Sequence, residues 1–200
     1  VTGRSVNSVN NKGVISITRN DRLVRPGDLK RVMESARAIK VPSDRKLLHV
    51  IPRSYALDGQ EMAENPVGMH GMRLDVEAHI ITAGIASVQN LVKCINGVGV
   101  DVEDLILEPL ASAEAVLTEE EKQFGVIIAD IGGGTTDMCV FRQGTIWHTA
   151  VIPVAGYQFT RDIAVGLGLP FEVAEQMKKR YGSVKSVYDS KGQNQPVISQ

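Results

Sequence analysis

The 200-residue sequence predicts an α/β fold that carries an inserted α+β unit. Three observations lead there. Short β-branched and apolar runs alternate with stretches of helical periodicity. The segment from residue 13 to 98 reads as strand, helix, strand, strand, helix, with no constellation of chemical groups in it. An apolar run, Ile127-Ile128-Ala129, read as a buried strand, enters Asp130-Ile131-Gly132-Gly133-Gly134-Thr135-Thr136-Asp137 and continues into a second strand.

Composition bounds the possibilities. With 43% hydrophobic and 22% charged residues the chain is of the soluble globular class and long enough to bury a proper core. A net charge of -1 leaves no electrostatic footprint for nucleic acid or for an anionic membrane surface. Cys94 and Cys139 lie far apart without CxxC spacing, each among apolar neighbours as a small core residue would be, which favours a reducing cytoplasm. His49, His70, His79 and His148 lack ligand spacing, so no metal site is built on them. No apolar run reaches the roughly 18 residues of a membrane span. Val1 opens the chain and Lys191 to Pro196 closes no element, so the sequence reads as a piece of a longer protein.

The elements follow in order. Gly13 to Thr18 is a β-branched strand after a turn at Asn10-Asn11-Lys12. Asp28 reads as the N-cap of a helix whose apolar stripe is Leu29, Val32, Met33, Ala36 and Ile39. Leu47 to Leu57 is a strand edged or interrupted at Pro52, and Asp58-Gly59 turns the chain. From Met72 to Ile85 apolar and polar residues alternate, as on a sheet with one wet face. Ser87 caps a helix closed by Gly97. Glu61 with Glu64, and Asp75 with Glu77, read as solvated faces. Leu105-Ile106-Leu107 reads as a buried strand, and Glu108-Pro109 opens a helix to Thr118, with Glu119 to Lys122 a charged link. Gln143-Gly144 joins strand 138–142 to strand 145–152 as a hairpin, and helices follow at 158–167 and 171–181.

Three separated pieces carry chemistry. Glycines let a backbone turn tightly and aim successive N–H groups at an anion. The turn at Gly132, Gly133 and Gly134, with the hydroxyls of Thr135 and Thr136, therefore suits the β- and γ-phosphates of a nucleotide, and the bland alternative is a flexible hairpin. Asp130 stands at the strand mouth where a hydrated Mg²⁺ fits, and Asp137 is the carboxylate at the other end of the turn. Glu108, at a strand mouth and a helix start, suits orienting a water in line with the γ-phosphate; it equally suits a purely dipolar role worth about 0.3–1 kcal/mol. Glu175 and Lys178 are i, i+3 neighbours that either pair on the surface or meet a ribose and base.

These segments together resemble the actin-like ATPase superfamily, with its ribonuclease H-like core, and within it the FtsA family of bacterial cell-division proteins. Asp130 to Asp137 resembles the second phosphate loop. Leu107-Glu108-Pro109-Leu110-Ala111-Ser112 resembles the linker helix, whose glutamate matches the water-positioning residue. Gly156, Thr160-Arg161-Asp162-Ile163-Ala164 and Ala174-Glu175-x-x-Lys178 resemble the next two helices, the latter supplying adenosine contacts. The middle of the chain is similar to the family's inserted SHS2-type 1C subdomain through Asp44-Arg45, His49-Val50-Ile51-Pro52-Arg53-x-Tyr55-x-Leu57-Asp58-Gly59-Gln60, Pro66-x-Gly68-Met69-x-Gly71-x-Arg73-Leu74 and His79.

The resemblance implies the end of subdomain 1A over 1–18, the 1C interaction subdomain over 19–104, the linker helix and subdomain 2A over 105–155, and the start of 2B over 156–200. It implies catalytic Glu108 and Asp137, ATP held by Asp130, Gly132, Gly133, Gly134, Thr135, Thr136, Glu175 and Lys178, and Mg²⁺ at Asp130, with slow hydrolysis if any. It further implies self-association into filaments, partnership with FtsZ and other division proteins, and a place on the cytoplasmic face of the membrane through a C-terminal helix not contained in these residues, with no role for nucleic acid. A first phosphate loop and a glycine-rich adenine pocket are likewise outside these 200 residues. The alternative is a PilM-like scaffold of pilus assembly with the same core; a DnaK-type chaperone is disfavoured by the inserted unit.

Overall fold

The computed structural model describes residues 1–62 and 65–183, which form thirteen elements among the described residues. Glu64, the expected partner of Glu61, lies outside them, as does the trailing Lys191 to Pro196 stretch. Two units divide the chain: residues 1–131 with 135–153, and Gly132–Gly134 with the segment from Val154.

The first unit contains a four-stranded antiparallel sheet of β1 (Val6–Ser16), β4 (Arg73–Gly84), β2 (Arg45–Leu57) and β3 (Gln60–Met62), in that order. β1 is longer than the expected 13–18 strand. Asn10-Asn11-Lys12 is no turn but part of the ladder, paired with His79, Ala78 and Glu77. Asparagine disfavours strands because its side chain competes for backbone groups. Here those side chains are used elsewhere: Asn11 Nδ2 donates to the Ala36 carbonyl at 2.8 Å, and Asn10 Oδ1 meets His79 Nδ1 at 2.6 Å.

Helix α1 (Pro26–Arg37) covers one face of this sheet. Its Val32 and Ala36 are fully buried with Ile17, Val24, Leu74, Val76 and Ala78, while Leu29 and Met33 pack alongside. Each fully buried Val, Leu or Ile side chain among them contributes about 1.5–3 kcal/mol of apolar burial, and each Ala less. Asp28 is the third helical residue rather than the N-cap. Proline is favoured at the first position because its missing N–H is unpaired there anyway, so Pro26 sets the start. The Asp28 carboxylate, 1% exposed, reaches back to accept from the Arg25 N–H at 2.9 Å and from the Arg19 guanidinium, which holds its carboxyl below the usual range.

β2 runs unbroken through Pro52 with register shifts on either side of it, and its other neighbour, β3, pairs only with Tyr55 to Leu57. On the β3 side of Pro52 no strand is paired, and there a missing N–H costs no ladder bond. Asp58 and Gly59 both have positive φ, 50° and 87°, the type I′ geometry that matches strand twist.

The expectation of one wet face on β4 holds only for its first half. From His79 to Ala83 both faces are buried, because a second sheet lies against the strand. That sheet has the order β5 (Val126–Ile131), β6 (Thr136–Arg142), β7 (Thr145–Ile152). His79, 1% exposed, joins the two through Nε2 to the Thr149 hydroxyl at 3.0 Å; burial first, then Arg53 and His148, push it down to about 4. Alongside, Trp147 on β7 lies between two guanidiniums, Arg53 at 4.3 Å and Arg142 at 4.9 Å from the ring centre. Glu77 is accordingly only partly solvated: it pairs with the buried Arg53 at 2.9 Å, and half-buried Asp75 pairs with Arg73.

Helix α2 (Ile85–Asn96) begins two residues before the expected Ser87 cap, with Gly84 as its N-cap. Cys94 on it is exposed, against expectation, whereas Cys139 on β6 is buried. Leu105 to Leu107 form no strand: their backbone bonds go to Val1 and to the His49 ring rather than to a ladder, although Leu107 is buried. α3 (Glu108–Val116) follows, and the expected charged link is a short helix, α4 (Glu119–Phe124), started by a Thr118–Glu121 capping box. β5 is not buried on both faces. Ile127 and Ile131 are 60% and 66% exposed, since α3 covers one side of the sheet and no described element in this unit covers theirs.

In the second unit α5 (Gly156–Leu167) and α6 (Phe171–Tyr181) pack as a pair, and Gly168 closes α5 in the left-handed conformation.

Candidate functional site

The first unit collects three carboxylates on the α3 side of the β5–β7 sheet. Asp130 and Asp137 are directly opposite in the β5–β6 register, so both side chains leave the sheet on one face. Like charges at such positions repel, and each is met by a hydroxyl: Ser112 Oγ donates to Asp130 Oδ2 at 2.5 Å, and Thr135 Oγ1 donates to Asp137 Oδ2 at 2.9 Å. Asp137 is 3% exposed, and its other oxygen has no partner among the described residues. It lines a cavity of about 380 Å³ with Arg4, Ser8, Pro109 and Thr149. Glu108 opens α3 one turn before Ser112, so the two share a helix face. Among the described residues no group of three His, Cys, Asp or Glu side chains converges to hold a bare metal ion. Mg²⁺ does not require one, since it keeps several waters and takes one or two carboxylates.

The second unit holds the glycines. Gly156 N donates to the Gly132 carbonyl at 3.1 Å and Tyr157 N to the Gly133 carbonyl at 2.7 Å, so the first amides of α5 bind the turn. A trans peptide directs its N–H opposite to its C=O, and there is no cis bond in the described chain. The N–H groups of Gly133 and Gly134 therefore point away from α5. A Cβ built at either glycine meets nothing within 4 Å. Two successive amides beside open space form an anion-binding arrangement. None of the three glycines has positive φ, so open space rather than backbone strain is what they provide here.

Glu175 and Lys178 do pair, at 2.7 Å, but not as an isolated surface pair. Glu175 Oε2 also accepts from the Thr160 hydroxyl, and Lys178 Nζ donates to Thr160 Oγ1 at 2.8 Å and to the Gly156 carbonyl at 3.1 Å. The sequence pointed to Glu175 and Lys178. It gave no sign of the polar centre they share, because Thr160 is 15 and 18 residues away and fully buried.

Two family models match the chain: "SHS2 domain inserted in FTSA" over residues 3–82 and "Cell division protein FtsA" over residues 127–200. Cell division protein FtsA of Pseudomonas aeruginosa is 46% identical over 181 residues, 90% of this chain and 43% of that protein. FtsA of Escherichia coli K12 is 40% identical over 182 residues, 91% and 43%. The chain belongs to the FtsA family. It spans less than half the length of these FtsA relatives. Among solved structures, a PilM-PilN type IV pilus biogenesis complex aligns with a TM-score of 0.57 and 22% identity, over 88% of this chain and 48% of that one. That likeness is one of fold, an actin-like ATPase core with an SHS2 insertion. The FtsA matches separate the family from the pilus scaffold. Among the described residues no helix is long and apolar enough to cross a membrane.

The Glu175 network makes a pH prediction. Lys178 first, then Thr160, hold the Glu175 carboxyl down to about 2 from its ordinary 4.5. A carboxyl depressed in the folded state stabilises it above the unfolded value, and that contribution fades as pH falls from 4.5 toward 2. Urea unfolding at about pH 6 and about pH 3 measures it. Glu175→Gln should lose less stability than the wild type between those values, and equal losses would remove Glu175 from the acid response.

Proposed function

We propose that the full-length protein binds ATP with Mg²⁺ and acts as an actin-like division protein that polymerises and anchors the FtsZ ring to the cytoplasmic face of the membrane during septum assembly. The observation that carries the nucleotide reading is the glycine turn, whose carbonyls are held by α5 so that two amides in succession are left open. An anionic polyphosphate is the ligand such amides suit. Membership of the FtsA family supports the division role.

In this reading Gly132, Gly133 and Gly134, with the Thr135 and Thr136 hydroxyls, hold the phosphates. Asp130, oriented by Ser112, binds the water shell of Mg²⁺. Glu108 orients the attacking water, and buried Asp137 keeps the Thr135 hydroxyl turned inward. Glu175 and Lys178 supply the adenosine side. Bound ATP supplies a γ-phosphoryl group whose transfer to water is slow, so the nucleotide serves chiefly as a conformational ligand. Residues 1–18 close subdomain 1A, 19–104 form the 1C interaction surface for division partners, 105–155 the linker helix and 2A, and 156–200 the start of 2B.

Equilibrium binding of ATP to the full-length protein, with and without Mg²⁺, tests the site. Asp130→Ala should abolish the gain in affinity that Mg²⁺ gives while lowering Mg²⁺-free binding little; unchanged Mg²⁺ dependence would refute the assignment. Co-sedimentation of FtsZ with lipid vesicles, dependent on the full-length protein and on ATP, tests the anchoring role.

A further inference from the structure

The Asp137 carboxylate is met on one side only. Its Oδ2 accepts from the Thr135 hydroxyl at 2.9 Å, while its Oδ1 is buried with no partner among the described residues. A carboxylate oxygen so placed is costly unless a donor reaches it, and a cationic donor serves best. Asp130, directly opposite in the β5–β6 register, adds to the demand, because like charges at such positions repel. The cavity of about 380 Å³ that Asp137 lines shows where a donor can come from. Two hydroxyls on its wall already give their protons away. Ser8 Oγ donates to the Thr149 carbonyl at 3.2 Å, and Thr149 Oγ1 donates to His79 Nε2 at 3.0 Å, since the Nδ1 of that ring gives its proton to Asn10 Oδ1. Asn7 brings a neutral amide, whose oxygen is turned back to the Ser8 N–H at 2.9 Å. Arg4 is the one cation on the wall among the described residues. It is exposed, its side chain has no hydrogen bond or ion pair among the described residues, and it follows Gly3, at φ 97°, in a turn closed by the Val6 N–H on the Gly3 carbonyl.

We infer that Arg4 is a positioning residue for the nucleotide site, whose guanidinium closes over this cavity onto the free oxygen of Asp137. Exposed side chains change rotamer in picoseconds to nanoseconds, so the movement asked of Arg4 is a fast one. Its planar fork is always charged and matches a carboxylate. With Oδ2 on Thr135 and Oδ1 on Arg4, the carboxylate is fixed from both sides and keeps the Thr135 hydroxyl turned inward. The ion pair also offsets the negative charge that faces Asp130. Without Arg4, two uncompensated carboxylates oppose the entry of a polyphosphate. This inference rests on the nucleotide reading above and adds to it a residue from outside the glycine turn.

The test measures ATP binding, in the presence of Mg²⁺, to the full-length wild type, Arg4→Met, Arg4→Lys, Asp137→Asn and the double variant Arg4→Met with Asp137→Asn. Arg4→Met should bind ATP about tenfold more weakly, the size expected when a hydrogen bond to a charged group is lost. Arg4→Lys should recover most of that affinity, which a loss of packing alone would not allow. In the Asp137→Asn background the same Arg4→Met change should cost less than about twofold, because the carboxylate it serves is gone. A tenfold loss in both backgrounds would mean that Arg4 acts on the ATP phosphates directly, and would overturn the pairing; so would unchanged binding in Arg4→Met. Should Asp137→Asn fail to fold, a crystal structure of the full-length wild type with ATP decides the matter. An Arg4 guanidinium nitrogen within about 3.2 Å of Asp137 Oδ1 supports the pair, and an Arg4 side chain left in solvent refutes it. A wild-type protein that does not bind ATP would remove the nucleotide reading itself, whereas equal losses in the two backgrounds of a protein that does bind ATP remove only the role given to Arg4.

Discussion

Gly133→Val should weaken ATP binding by about a hundredfold or more while leaving the melting temperature within about 2 °C of the wild type. The two halves of this expectation come from the same geometry. Gly133 has an ordinary φ, and a Cβ there meets nothing within 4 Å, so the folded protein accommodates the larger residue without a clash. The added carbons stand in the open space beside the Gly133 and Gly134 amides, the space an anion needs. Gly133→Ala should fall between the two. Calorimetric titration of the full-length protein with ATP measures the affinity, and differential scanning calorimetry the stability. If the valine variant binds ATP as the wild type does, the turn is a hairpin and no more.

The largest loss of stability should come from Gly13→Ala, where β1 meets α1. A Cβ at Gly13 would stand 2.3 Å from the Val32 carbonyl oxygen, 2.5 Å from the Ala36 N and 2.9 Å from the Ala36 Cβ. Those are backbone and near-backbone atoms of α1, which cannot rotate aside as a side-chain tip can. The helix must lift from β1, parting Val32 and Ala36 from the core they share with Leu74, Val76 and Ala78. A cost of about 3 kcal/mol or more is expected, at the upper end of overpacking changes. Gly27→Ala, where a Cβ meets nothing within 4 Å, is the control and should be nearly neutral. Chemical denaturation compares them; equal midpoints would mean that α1 is not seated on β1 as described.

What the sequence conveyed depended on the range of the forces involved. The α1 stripe, the alternation in β4, the Asp58-Gly59 and Gln143-Gly144 turns and the two last helices were legible because each is set by neighbours in the chain. Asn10-Asn11-Lys12 misled, since its strand is held by partners 25 and 69 residues away, Ala36 and His79. Leu105 to Leu107 misled in the opposite sense: an apolar run says that residues are buried, not that a ladder waits for them. The Thr118–Glu121 capping box is present in the letters, but the charge of Glu119 to Lys122 masks the helix it starts. At the site, residue types that advertise chemistry, Asp130 and the glycines, stood out. Ser112 and Thr160, which hydrogen-bond Asp130 and Glu175, are ordinary hydroxyls in helices and acquire meaning only from what the fold sets against them.

Trp147 is the sole tryptophan of the 200 residues, and it sits half-buried between the Arg53 of one sheet and the Arg142 of its own. The protein thus carries its own optical probe at the seam where the four-stranded sheet meets the β6–β7 hairpin. Its emission colour and quenching by iodide give a label-free signal of whether that seam is closed, readable in the same cuvette as a nucleotide titration.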